Sequence, residues 1–302
     1  MPPIRSLVLV TALIAGAGAA VCQTEAAPSY LGQQPPGLSP EVFAPGRIST
    51  PEAFELNSVF SPEMDLFLFS RRIDGVYKMF MVIKQEDGGW SDAVMTSISK
   101  TYPGHADVDM MFAPGGKRLN RPRQGYPLDR YNIWFSDRTE AGWIAPVALG
   151  PHINGLPHEL YPMIVADGSL YFSTHRPDSL GGRDSYRAQF RGGAFDAPVN
   201  LGPAINSPAN EGDLFVAPDE TYLIQSVNGR SDSLGSNDLY ISFKQEDGSW
   251  SQSQSRHMGD TINSPEIDFC PMVTPDGRYF FFSRGGDIYW MDAAIVDRFR
   301  TE

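Results

Sequence analysis

The stretch EIDFCPMVTPDG (266–277) sets an acid, Asp268, at the head of a short apolar run that stops at a Pro-Asp-Gly turn. The same arrangement returns four times upstream, in FELNSVFSPEM (54–64), ADVDMMFAPGG (106–116), HELYPMIVADG (158–168) and EGDLFVAPDE (211–220). Aligned on their turns, the five stretches put Glu55, Asp107, Glu159, Glu211 and Asp268 at one register, at intervals of 52, 52, 52 and 57 residues. A fixed period of this size is the mark of a repeat architecture, so the repeat is the first fact to explain.

Each repeat continues in the same way. A second apolar run follows the turn (LFLFS at 66–70, SLYFST at 169–174, TYLIQS at 221–226, RYFFFS at 278–283). A third comes after a polar connection, for example YKMFMVI (77–83), NDLYISF (237–243) and GDIYWMD (286–292). Next are tight turns, clearest in KQEDGGW (84–90) and KQEDGSW (244–250), where Asp-Gly favours a type I′ hairpin. The fourth run leads into PVALGPHIN (146–154), PVNLGPAIN (198–206) or HMGDTIN (257–263). Four antiparallel strands per unit, repeated around a ring, make an all-β propeller. One blade cannot bury both its faces, but blades packed face to face can.

The fifth repeat ends without a fourth strand, whereas PEVFAPGRIST (40–50) reads as a spare one. Paired with the last blade, it closes a five-bladed ring and covers two edges. A six-bladed ring is the alternative, if the segment around SYLGQQPPG (29–37) builds more than one strand. Repeat two departs from the pattern. After PGGKRL (114–119) comes NRPRQGYPLDR (120–130), as if about four strand residues were missing between Leu119 and Asn120. A short or irregular second strand is expected there.

The chain has 302 residues, is 41% hydrophobic and 12% aromatic, and carries a formal net charge of -12. Nucleic acid is excluded as a partner, because binding it needs a basic face, and anionic membrane surfaces are disfavoured for the same reason. MPPIR followed by the apolar, small-residue-ended SLVLVTALIAGAGAA (6–20) reads as a secretory signal peptide, with cleavage after Ala17, Ala20 or Cys22. The rival is a lipoprotein signal with Cys22 lipidated, although Val21 stands where such signals want Gly, Ala or Ser. The expected organisation is a signal peptide over 1–22, a linker over 23–39 and a propeller over 40–300. The mature chain has no transmembrane span and resides in the periplasm or is secreted. Cys22 and Cys270 are the two cysteines, so loss or lipidation of Cys22 leaves no intrachain disulfide.

SPEMDLFLFSRR (61–72), NDLYISFKQEDGSW (237–250) and VTPDGRYFFFSRGGDIYW (273–290) resemble the exported TolB-type, WD-like propeller repeats marked by Pro-Asp-Gly turns. The resemblance covers about residues 40–297. It implies a periplasmic or surface propeller engaged with another protein. Only about 20 residues separate the signal from the first repeat segment, so a separate TolB-like N-terminal domain is not expected and a translocation role does not carry over.

In a propeller the first strand lines the central channel, so Glu55, Asp107, Glu159, Glu211 and Asp268 are expected to ring one mouth. Two residues on lie Asp109 and Asp213, on the same face by the period of two. Asn57, Tyr161 and Cys270 stand at the matching positions in the other repeats, making this layer asymmetric and the better place to look for selectivity. These seven acids are the candidate ligand site, as clustered carboxylates attract cations and raise one another's pKa. The structural alternative is that each acid caps its strand start or pairs with an arginine. Repetition in every blade favours that, since catalysis needs distinct roles.

Arg71, Arg72, Arg121, Arg123 and Arg176, with His175, follow second strands and are expected to pair with blade acids. DSLGGRD (178–184) and DSLGSND (232–238) lack the ligand density of a calcium loop. No cofactor is expected. Cys270 reads as a packed small hydrophobe. No G-x-S-x-G elbow, phosphate loop, dinucleotide fingerprint or zincin motif is present. The expected function is a non-catalytic, monomeric binding propeller engaging a protein or an envelope polysaccharide. The alternative is a periplasmic carbohydrate-active hydrolase using two channel carboxylates, which needs an open pair about 5–9 Å apart.

Overall fold

The structure, a computed structural model, describes residues 30–125, 130–139, 142–155, 158–250 and 255–300. Five sheets of four or five antiparallel strands are laid out in chain order, each with one of the stretches above as its inner strand, and a two-stranded hairpin, Phe190–Arg191 with Ala194–Phe195, stands beside them. Their first strands are Glu55–Phe60, Met111–Phe112, Leu160–Ile164, Asn210–Val216 and Asp268–Val273. Each first strand touches the first strand on either side, and the first and fifth also meet, so the ring closes. This is a five-bladed propeller. Residues 30–37 form no strand, which removes the six-bladed alternative.

The second strands show why the blades need each other. In Leu66–Ile73 the first five residues are all buried, on both sides of the pleat. A half-solvated sheet would alternate. Here neighbouring blades cover both faces, so the strand is apolar throughout.

Closure follows the sequence expectation. Glu41–Val42 pairs antiparallel with Trp290 and Tyr289, supplying the fourth strand of blade five. Phe43 then enters the junction of the first and last blades, with its ring centroid 4.9 Å from Phe281 and 5.2 Å from Trp290. Part of the segment expected as linker is also packed. Tyr30 is buried against Tyr279 and donates its hydroxyl to Asp276 at 2.5 Å.

The Ile-Asn pairs that end the fourth runs have a physical cause. Asn154, Asn206 and Asn263 each accept an N–H from the third strand of their blade (Ile133, Ser185, Leu239) at 2.7–2.8 Å. Each also donates to the carbonyl of that same residue. The amide side chain thus stands in for one residue of strand backbone, extending a very short fourth strand. Ser49 does the same for Ile288 in the closing blade.

Blade two corrects the expectation of a truncated second strand. That strand runs eight residues, Arg118–Gly125, in unbroken register with Arg130–Thr139. Asn120, Arg121 and Pro122, which read as a turn, lie inside it. Pro122 is tolerated because the first strand, Met111–Phe112, faces only Asn120 and Leu119. No ladder N–H is required of the proline. The shortened element is therefore the first strand.

Candidate functional site: the channel and its two ends

All five register acids are buried and are engaged by the protein itself. Glu55 accepts Thr50 Oγ1 and the Arg71 guanidinium at 2.9 and 2.7 Å. Asp107 takes Ser99 Oγ at 2.5 Å and pairs with buried Arg121 at 3.2 Å. Glu159 accepts the Gly155 N–H. Glu211 Oε1 accepts Ser207 N–H and Oγ–H at 3.1 and 2.6 Å. Asp268 takes Ser264 through N–H and hydroxyl, and Arg284 at 2.7 Å. In four blades the acid thus ties down the loop four or five residues before it, where the chain crosses from one blade to the next. Ser, Thr or Gly at that offset was the sequence signal for this role.

Burial pushes the Glu55 and Asp268 carboxyls up despite their arginines. Glu211 has Val227 opposite it, where Glu55 and Asp268 face Arg71 and Arg284. Its Oε2 is buried without a hydrogen-bond partner. Burial first, with the Asp184 charge adding to it, raises its carboxyl to about 7.

The period-two argument does not hold for the next layer. The ladder between first and second strands shifts register just after the acid in blades one, three, four and five, a β-bulge. Asn57, Asp109, Tyr161 and Cys270 take φ of 49–55°, the left-handed region that non-glycine residues seldom adopt. The bulge re-aims these side chains away from the register acids. Asp109, Tyr161, Asp213 and Cys270 instead feel one another's charges at the axis, in a neck of the channel. Asp213 Oδ2 accepts the Cys270 N–H at 2.6 Å. Burial, then repulsion from Asp213, drives the Asp109 carboxyl well above the usual carboxylate range. Burial and the two aspartates push the Cys270 thiol up too, so it is no activated nucleophile. Arg183, from the third blade, is the cation whose charge reaches this neck, and the sequence reading missed it.

Beyond the neck, each first strand reaches the opposite mouth of the channel. Val59, Met111, Met163, Phe215 and Met272 occupy one register there, one per blade, and form an apolar collar. They floor a cavity of about 530 Å³ whose rim comprises the turns between first and second strands, including Pro62, Pro218 and Pro275. This lies within the usual size range of ligand pockets.

Most of the other sequence candidates are engaged by internal contacts. In the DSLG loops, Asp184 accepts Leu180 N–H, and Asp238 accepts Leu234 and Gly235 N–H. Arg71 and Arg121 pair with register acids. Arg123 stacks on Tyr102, and Arg176 donates to the His152 and Ile153 carbonyls. No group of three or more metal-ligating side chains occurs among the described residues.

No protein-family model matches the chain, and no curated protein does either. Solved structures share the architecture at low identity. A glycoside hydrolase is similar at 9% identity and a TM-score of 0.54, over 86% of this chain and 91% of that one. A protein of unknown function from Dyadobacter fermentans is similar at 12% identity and a TM-score of 0.50, over 86% and 84%. TolB from Acinetobacter baumannii is similar at 12% identity and a TM-score of 0.49 over 79% of this chain. This chain spans about half, 54%, of that TolB. The two likenesses at a TM-score of 0.50 or more accord with the β-propeller fold, and TolB-type proteins are among the structural neighbours.

Proposed function

We propose that this chain is an exported, non-catalytic binding propeller that docks a segment of a partner protein in the apolar basin. The observation that carries the reading is the collar. All five blades place an apolar residue at one register beneath a concave mouth; the five are themselves buried, and the cavity above them has the size of a ligand pocket. Three of the five are methionine, whose unbranched side chain adapts to an inserted group.

Charge specifies the partner. The five rim turns hold six acids (Glu63, Asp65, Asp167, Asp219, Glu220, Asp276) against Lys117 and Arg278. Arg187 and Lys244 reach in to Glu220, and the rim stays acidic overall. An apolar segment flanked by basic residues fits this surface, and an uncharged polysaccharide does not use it. The register acids are held by arginines, hydroxyls and backbone N–H groups, so the hydrolase alternative lacks the open pair it needs among them. The signal peptide that would export the chain lies outside the described residues. No helix among the described residues is long and apolar enough to cross a membrane.

Selection of peptides from a display library against the mature protein tests this. Enriched peptides should be apolar and basic, bind more weakly as salt rises, and lose at least tenfold in affinity to Ile164→Arg, a change at a half-buried lining position. Peptides that bind Ile164→Arg as well as the native protein would refute it.

A further inference from the structure

We propose that blade two, on the face covered by the crossover from blade one, binds a small tetrahedral oxyanion, phosphate or sulfate, through Arg121. The site is separate from the basin and does not depend on it. In the unbroken ladder of blade two, Arg121 opposes Trp134 and Arg123 opposes Asn132, so both arginines and the indole share one face. The crossover, residues 96–107, lies over that face: Tyr102 stacks on Arg123, and Asp107 stands beside Arg121. The position of Arg121 is a core position in the other blades. Two residues before the partner of the register acid, blades one and five carry Phe69 and Phe282, and blade four carries Gln225, all fully buried. Blade two has Arg121 there.

Gln225 is satisfied where it stands: its Nε2 donates to the Ile205 carbonyl at 2.8 Å, and its Oε1 accepts the Ser185 hydroxyl at 3.2 Å. Arg121 is not. It is 1% exposed, yet Nε and Nη2, the guanidinium edge that grips two oxygens side by side, have no hydrogen-bond acceptor among the described residues. Asp107 Oδ1 lies 3.2 Å from Nε but off the N–H direction, and Asp107 Oδ2 takes Ser99 Oγ. Trp134 Nε1, across the ladder, and Ser136 Oγ, two residues on along the same face, are also buried and unpartnered. Buried donors left without acceptors are costly, and a protein retains a group of them mainly where something else supplies the acceptor.

Charge selects an anion over water. Arg123 is 7% exposed, lies over the Tyr102 and Trp134 rings at 3.9 and 5.4 Å, and makes no ion pair among the described residues. Buried Lys78 is tied to the Pro103 and His105 carbonyls of the same crossover. Three cations against Asp107 leave an excess of two positive charges, in a chain whose net charge is -12. A dianion balances that count, and its oxygens accept from the Arg121 edge and from the indole at once. A carboxylate balances half of it, and chloride offers no pair of oxygens to the fork. Tyr102 and Trp134 are only half-buried, so the site lies just beneath the surface. The near-complete burial of Arg121 restricts the ligand to the free ion and excludes a phosphoryl group carried on a macromolecule.

The test is titration calorimetry of the mature protein, in a buffer free of oxyanions, with sodium phosphate, sulfate, acetate and chloride as probes. The expected result is one saturable site for phosphate or sulfate, at least tenfold tighter than for acetate or chloride. Two variants locate it. Arg121→Lys keeps the charge and loses the two-donor edge, and should bind at least tenfold more weakly. Trp134→Phe keeps a half-buried ring and loses one donor, and should bind at least threefold more weakly. Absence of saturable phosphate and sulfate binding leaves the donors to water and overturns the proposal, and that measurement needs no variant to fold. Native affinity in a folded Arg121→Lys or Trp134→Phe overturns the placement on blade two, and tighter binding of acetate overturns the choice of a tetrahedral dianion.

Discussion

Replacing Glu211 by glutamine should stabilise the protein at alkaline pH and leave it unchanged in acid. Glu211 is fully buried, faces Val227 rather than an arginine, and has one oxygen without a partner. Its carboxyl rises from an ordinary 4.5 to about 7 on folding, chiefly through burial. A raised carboxyl means that the folded state holds its proton more tightly than the unfolded chain. The associated stability is fully present below pH 4.5 and is lost as pH climbs through about 7. At about 1.4 kcal/mol per unit, the full loss is on the order of 3 kcal/mol. Glutamine cannot ionise and keeps an oxygen for Ser207, so Glu211→Gln escapes the loss. Urea melts at pH 4 and pH 8 should show the two proteins equal at the lower pH. The variant should be more stable by about 2–3 kcal/mol at the higher, with part of the gain offset by weaker bonds from Ser207. A stability difference that does not change with pH, or a variant weaker at pH 8, refutes the assignment.

Two further substitutions probe the architecture. Phe43→Ala should cost about 3–5 kcal/mol in a urea melt, because its ring is fully buried between the first and last blades; a loss below about 1 kcal/mol would mean that the N-terminal clasp does not hold the ring shut. Gly235→Ala should lower the melting temperature, as its Cβ would stand 1.9 Å from the Glu266 carbonyl oxygen where the DSLG loop packs on the next blade; a destabilisation of about 1–3 kcal/mol is expected, and an unchanged melting temperature would show that the loop moves aside freely.

The neck and the blade-two strand show how far local pattern reaches. The period of 52 residues revealed the number of blades, and the missing fourth strand pointed to the clasp, because both are properties of a repeat written along the chain. Blade two was misread because Asn-Arg-Pro is ordinarily a turn. Only the partner strand shows that no N–H is wanted at Pro122. The acids at 109 and 213 were placed on the same face as the register acids, one layer on, by strand alternation. In blade four a bulge beside Asp213 breaks that alternation, and nothing in Tyr161 or Cys270 advertises a left-handed φ.

By itself the sequence determined the class of fold, the five-fold count and the way the ring is closed, since periodic burial and turn chemistry are local and additive along the chain. It also named the acids, whose spacing is strict. Tertiary structure decided what they do. Whether a carboxylate is presented or consumed depends on groups brought to it by other parts of the chain, such as Arg284 for Asp268 and Ser99 for Asp107. The apolar basin has the same origin. Val59, Met111, Met163, Phe215 and Met272 are scattered over more than two hundred residues, and each looks like an ordinary strand hydrophobe until closure of the ring sets the five side by side.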